Sequence, residues 1–158
     1  MKKRLLIAFA LALMVPWAAR AQSCTQTIPF FEGFETTAAV TGYSSAGSVP
    51  TCWNAYSPGT SAGYVPHVVS GTGNYVYRKT GENSLVFSAA NSSTNGARKY
   101  LVLPPMNVPL NQLQLSFWMC PESVSYGSIT VGYMTSDDTS TFTVISTYPL
   151  RMLTMVCR

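Results

Sequence analysis

In the second half of this chain apolar residues recur at every second position, and that spacing limits the available folds more than any other feature. Across Gln112–Met119, Leu113, Leu115, Phe117 and Met119 share one side, and Gln112, Gln114, Ser116 and Trp118 share the other. Side chains alternate faces in this way along a strand, so one face is expected to line a core. Ser128–Met134 repeats the pattern through Ile129, Val131 and Tyr133, and Thr141–Thr147 is a third such run. Ser84–Ser88 and Tyr100–Leu103 are shorter runs rich in Val, Leu and aromatic residues. Ile28–Phe34 is expected to be an opening strand, with Pro29 placing its start at a sheet edge. After the first twenty or so residues, no three-turn window holds apolar residues at helical spacing without Gly, Pro or β-branched interruption. Polar, Gly-rich stretches separate the runs, and Ser136–Ser140 reads as the connection of a hairpin. Many short strands joined by polar turns predict an all-β fold, an antiparallel β-sandwich. No internal repeat at a solenoid period is visible.

The first residues follow another rule. Met1–Arg4 is a short basic start, Leu5–Val15 is an uncharged apolar run of eleven residues, and Ala19-Arg20-Ala21 has the small-x-small form of a cleavage site. Together these are the parts of a secretory signal peptide over residues 1–21. The run is too short to cross ~30 Å of hydrocarbon as a helix. No second membrane-span candidate follows in the mature chain. Export to the cell surface or the medium is therefore expected. Four of the ten basic residues lie in the leader, so the formal charge of +4 belongs to the export signal. The six remaining basic residues are balanced by six acidic ones. A neutral chain offers no electrostatic footprint for nucleic acid, and six cations do not make a single-strand-binding groove.

Cys24, Cys52, Cys120 and Cys157 are the four cysteines. An exported chain can keep disulfides, and three pairings are possible. None of them forms a CxxC or a Cys/His cluster at zinc spacing, and His67 is the only histidine. Cys24 also has the position of a lipidated cysteine. However, Ala21-Gln22-Ser23 lacks the usual aliphatic residue three places upstream, so simple secretion is preferred.

Few residues suggest catalysis. His67 could serve as a base for Cys52 or for one of many serines, but no G-x-S-x-G elbow and no cysteine-protease signature occurs. Glu32 and Glu35 stand three positions apart, so in a strand they would face opposite sides and could not flank one glycosidic bond. Asp137-Asp138 suits a tight turn, where Asp caps backbone amides. Aromatic residues are the better binding equipment. Tyr56, Tyr64, Tyr75 and Tyr77 lie in the long segment before Ser84 and are the expected ligand-binding residues, able to stack on sugars or anchor a protein contact. Trp53, in the same segment, is open to a binding role or a core role, and Trp118 points away from Leu115 and Phe117.

Several motifs occur together in a recognisable order. Phe30-Phe31-Glu32-Gly33-Phe34-Glu35 resembles the F-x-E-x-F-E opening of the cleaved-adhesin and choice-of-anchor J domains, which are secreted, MAM-like β-sandwich modules of Bacteroidetes. Pro50-Thr51-Cys52-Trp53 is similar to the P-x-x-W that follows, which implies that Trp53 fills the core, and Ser84-Leu85-Val86-Phe87 is similar to an S-L-x-F strand. Leu101–Val108 resembles L-x-L-P-P-L-D-V, and the segments Leu113–Trp118, Gly127–Asp138 and Ser140–Phe142 are similar to the strands after it. The likeness runs from Ile28 to Thr147. It implies a jelly-roll-type sandwich spanning residues 22–147, and a non-catalytic, adhesin-like module that binds host extracellular protein or glycan. It also implies a structural calcium, with Glu35 as the best-matching carboxylate and Glu32 second. The alternative is a structural accessory domain, or an inactive fragment, of a larger secreted multidomain protein such as a protease or adhesin. The W-containing, I-A-F-like and I-D-D-I strands that close the family's fold are not in this sequence. Residues 148–158 lose the period-two pattern and are rich in Met and Leu, which reads as a truncated or out-of-frame end to a longer natural domain.

Overall fold

The computed structural model describes residues 24–41, 47–57, 65–71, 77–88, 98–121, 127–136 and 138–150. The expected signal peptide, the atypical tail from residue 151 onward, Tyr64, Tyr75, Asp137 and Cys157 lie outside them. The fold is all-β, as the alternation predicts. Its strands are β1 (Val40–Thr41), β2 (Asn54–Tyr56), β3 (His67–Ser70), β4 (Asn83–Val86), β5 (Tyr100–Val102), β6 (Ser128–Tyr133) and β7 (Thr143–Pro149). They form a three-stranded sheet in the order β1-β3-β4 and two antiparallel pairs, β2-β5 and β6-β7. β1 runs parallel to β3, with Val40 opposite Val69, whereas β4 runs antiparallel to it, with His67 opposite Val86. Among the described residues no helix is long and apolar enough to cross a membrane.

β3 is the middle strand of its sheet and supplies most of the core. Val68 and Val69 are fully buried, as are Pro66 and the His67 ring. A strand covered on both faces carries consecutive apolar residues and does not alternate. His-Val-Val-Ser therefore carries no period-two signal in the sequence. Each buried valine contributes roughly 1.5 kcal/mol.

Trp53 is also buried, as expected, and stands at the end of a tight turn closed by its own N–H donating to the Pro50 carbonyl at 3.0 Å. Cys52 has φ +70° at the third position of that turn, the sign a type II turn requires. Its sulfur is bridged to Cys24, which ties the first described residue to the turn. One of the three possible pairings is thereby settled. A Cys24 sulfur held in a bridge is not available for a lipid thioether. Cys120 is disulfide-bonded too.

Two expected strands are not formed. Among the described residues Ile28–Phe34 forms no ladder, and the isolated bridge nearby joins Gln26 to Met106. Pro29 has no N–H to offer, and the Phe34 N–H is taken by the Glu32 carboxylate, so local side-chain bonding replaces a strand partner. Gln112–Met119 is the larger departure. Leu110–Gln112 is a 3-10 turn and 113–120 runs on without a strand partner among the described residues. Leu115 and Phe117, expected in the core, are 52% and 48% exposed. Alternation marks which residues could share a face, but a strand also needs a neighbour for its amides and a layer to cover it. Thr141–Thr147 is shifted by two residues, because Asp138 caps a 3-10 turn at Thr139–Thr141 and β7 starts only at Thr143.

Candidate functional site

The two glutamates of the opening segment are used by the backbone. The Glu35 carboxylate accepts from the Glu82 N–H at 3.1 and 3.2 Å and from the Asn83 N–H at 3.2 Å. The Asn83 side-chain amide donates in return to the Phe34 carbonyl at 2.9 Å. These bonds clip residues 34–35 to the first residue of β4. Gly81 makes the clip possible: its φ is +69°, and a Cβ there would collide with the Glu35 carboxylate. Phe34 itself adopts φ +67°, a costly conformation for a non-glycine residue. The clip and an edge-on contact with Trp53, 5.9 Å between ring centroids, hold it there.

Calcium binds six to eight oxygens. Glu32 caps Phe34, Glu35 caps β4, and no group of three or more His, Cys, Asp or Glu residues converges among the described residues. Among the described residues the donors do not assemble a calcium cage.

Beside this clip lies an open cleft of about 380 Å³. Phe30 and Trp53 supply aromatic wall, with ring centroids 6.5 Å apart at 40°. Thr36, Thr37, Ser48 and Thr51 supply hydroxyls, and Glu32 is the charged group in the lining. Rings beside hydroxyl donors and acceptors suit a polyhydroxylated ligand or a polar peptide segment. Glu32, expected as the second calcium carboxylate, lines this cleft, and the threonines carry no sequence signal until the turn at Pro50–Trp53 brings them beside the opening segment.

Of the four expected ligand-binding tyrosines, Tyr56 and Tyr77 are among the described residues. Tyr56 is half-buried in β2 and paired across the sheet with Tyr100. Tyr77 is 39% exposed beside the start of the Arg78–Glu82 turn, which an ion pair of 3.0 Å spans. Tyr64 and Tyr75 lie outside the described residues. Trp118, 69% exposed, carries the Lys79 ammonium over its ring at 4.1 Å.

His67 is no surface base. Its ring is buried against Gly47, and Nδ1 donates to the Val65 carbonyl at 2.7 Å. Nε2 and the buried Ser88 hydroxyl have no partner among the described residues. Cys52, the thiol considered beside it, is held in the bridge to Cys24.

Comparison with known proteins finds no counterpart: no family model matches, and neither a curated protein nor a solved structure is significantly similar.

Proposed function

We propose that the mature chain is an exported, non-catalytic binding module of the adhesin-like kind, acting at the cell surface or in the medium on host extracellular protein or glycan. The observation that carries this reading is the cleft of about 380 Å³ in which Phe30 and Trp53 stand among four hydroxyl side chains on a β scaffold. Such a surface grips a ligand through the half-buried Phe30 ring and hydrogen bonds, the buried Trp53 adding little accessible face. The motif order from Phe30 to Phe142 supports the same reading through its resemblance to the cleaved-adhesin and choice-of-anchor J domains, as does the leader at residues 1–21 for export.

The test uses the processed chain on an array of glycans and extracellular-matrix proteins. Reproducible binding is expected, and Thr51→Arg, an exposed substitution that fills the cleft, should weaken it without moving the melting temperature. An array without reproducible hits overturns the reading. Turnover on a panel of protease and glycosidase substrates would replace it with a hydrolase. Sequencing the N-terminus of the secreted product should give Gln22 first.

One observation favours the accessory-domain alternative. The 113–118 segment and β7 leave Leu115, Phe117, Trp118, Val144, Ile145 and Tyr148 exposed, and apolar surface of this kind is ordinarily covered by a neighbouring domain or partner. A full-length gene encoding further domains would support it.

A further inference from the structure

A second cleft, of about 430 Å³, opens between the start of β5 and the turn that leads into β7. We infer that this cleft is a separate saccharide subsite selective for sugars that carry a carboxylate; the inference rests on the binding-module reading above. Its lining is Arg98, Tyr100, Thr139, Ser140, Phe142 and Val144.

The rings and the Ser140 hydroxyl of that lining are held by contacts of their own. Tyr100 is held in β5 opposite Tyr56, and its ring meets Phe142 edge-on, 5.6 Å between centroids at 74°. Phe142 can occupy that place because residue 132 is glycine: a Cβ there would lie 2.6 Å from the Phe142 ring and would strike the Thr143 carbonyl. The hydroxyls of Thr139 and Ser140 stand on a 3-10 turn. The Asp138 carboxylate accepts from the Ser140 N–H at 2.9 Å and from its hydroxyl at 2.6 Å. With its proton directed to Asp138, the Ser140 oxygen still has lone pairs for a ligand hydroxyl.

Arg98 sets the selectivity. It is exposed, and among the described residues it enters no ion pair. The Asp138 carboxyl is held below the usual carboxylate range by the Ser140 hydroxyl and amide, not by Arg98. Arg98 belongs to the lining and has no ion-pair partner among the described residues, so its guanidinium fork is at hand to match a carboxylate in two parallel hydrogen bonds. Rings set at an angle take the C–H face of a pyranose, and the hydroxyls take its equatorial oxygens. A volume in the range of 300–1,000 Å³ is that of ordinary small-ligand sites. The first cleft has the opposite sign: its lining contains Glu32 and neither Lys nor Arg. Since the mature chain is neutral overall, the two clefts differ by local charge alone, with no long-range field to blur the difference.

The experiment titrates the processed chain with 3′-sialyllactose, with a glucuronic-acid-terminated trisaccharide and with lactose, by calorimetry. At least one carboxylated probe should bind saturably and about tenfold or more tighter than lactose, with the preference shrinking as salt is raised. Arg98→Gln should abolish the preference, and Arg98→Lys should keep part of it, with melting temperatures unchanged because the side chain is exposed. Equal affinity for all three sugars, binding of neither carboxylated probe, or an unchanged preference in Arg98→Gln would each overturn the inference. If array binding sensitive to Thr51→Arg persists through any of those results, only this subsite is lost. An empty array removes the broader reading as well.

Discussion

Glu35 stabilises the molecule through two backbone amides 47 and 48 residues away in sequence. Glu35→Ala should therefore lower stability by about 1 kcal/mol, since the bonds are charge-assisted but exposed. Gly81→Ala should cost at least as much, because alanine meets both the left-handed φ and the carboxylate. Denaturant titration reads both, and values within error of wild type would show that the clip is idle. Chelator should leave the melting temperature unchanged; a calcium-dependent rise would restore the ion that the family resemblance implies. The Gly-Phe fit behind the second cleft makes Gly132→Ala another sensitive change, expected to move Phe142 and to broaden or shift its ring resonances. Glu35 could be identified in the sequence as a functional carboxylate candidate. Its partners could not, because nothing local to residue 35 indicates which amides will arrive beside it.

Among the elements, the 3-10 turn at Thr139–Thr141 depends on an ionised Asp138. The carboxyl is more acidic in the folded chain than in the unfolded one, chiefly because the Ser140 hydroxyl and amide bond its charged form. A depressed carboxyl pKa means that the turn's support is present above the ordinary carboxylate range and is lost as pH falls through the folded value. An NMR titration should place the Ser140 amide transition below the usual aspartate midpoint; a midpoint at or above it would contradict the cap. The segment 113–120 behaves in the opposite way to a capped turn. It carries no charge, no strand neighbour among the described residues, and Leu115 and Phe117 on its surface. Unpaired, uncharged edges of this kind template association. Leu115→Lys with Phe117→Lys should raise the monomer fraction in sedimentation without loss of β signal in circular dichroism. A loss of fold would mean that these side chains are buried after all. The strand reading of 112–119 failed here because alternation records capacity to pair, whereas pairing needs a second strand.

For the molecule as a whole, the Cys24–Cys52 bridge closes a loop of 28 residues around the opening segment. Loop-closure entropy gives it roughly 3–4 kcal/mol, a large share of the stability of a small domain. Cys24→Ser with Cys52→Ser should lower the denaturation midpoint accordingly, and an unchanged midpoint would show that the loop is held by other contacts. What the sequence determined alone is the all-β class and the β6 and β5 positions within a residue or two. These follow from side-chain period, hydropathy and residue size, which act over a few neighbours. Only the tertiary structure decided that β3 is the buried centre, that Cys52 pairs with Cys24, that Glu35 caps β4, and that Arg98 meets Tyr100 and Phe142 around one cleft. Each of these joins residues tens of positions apart, and their adjacency arises when sheets and turns close on one another, not from any local pattern in the chain.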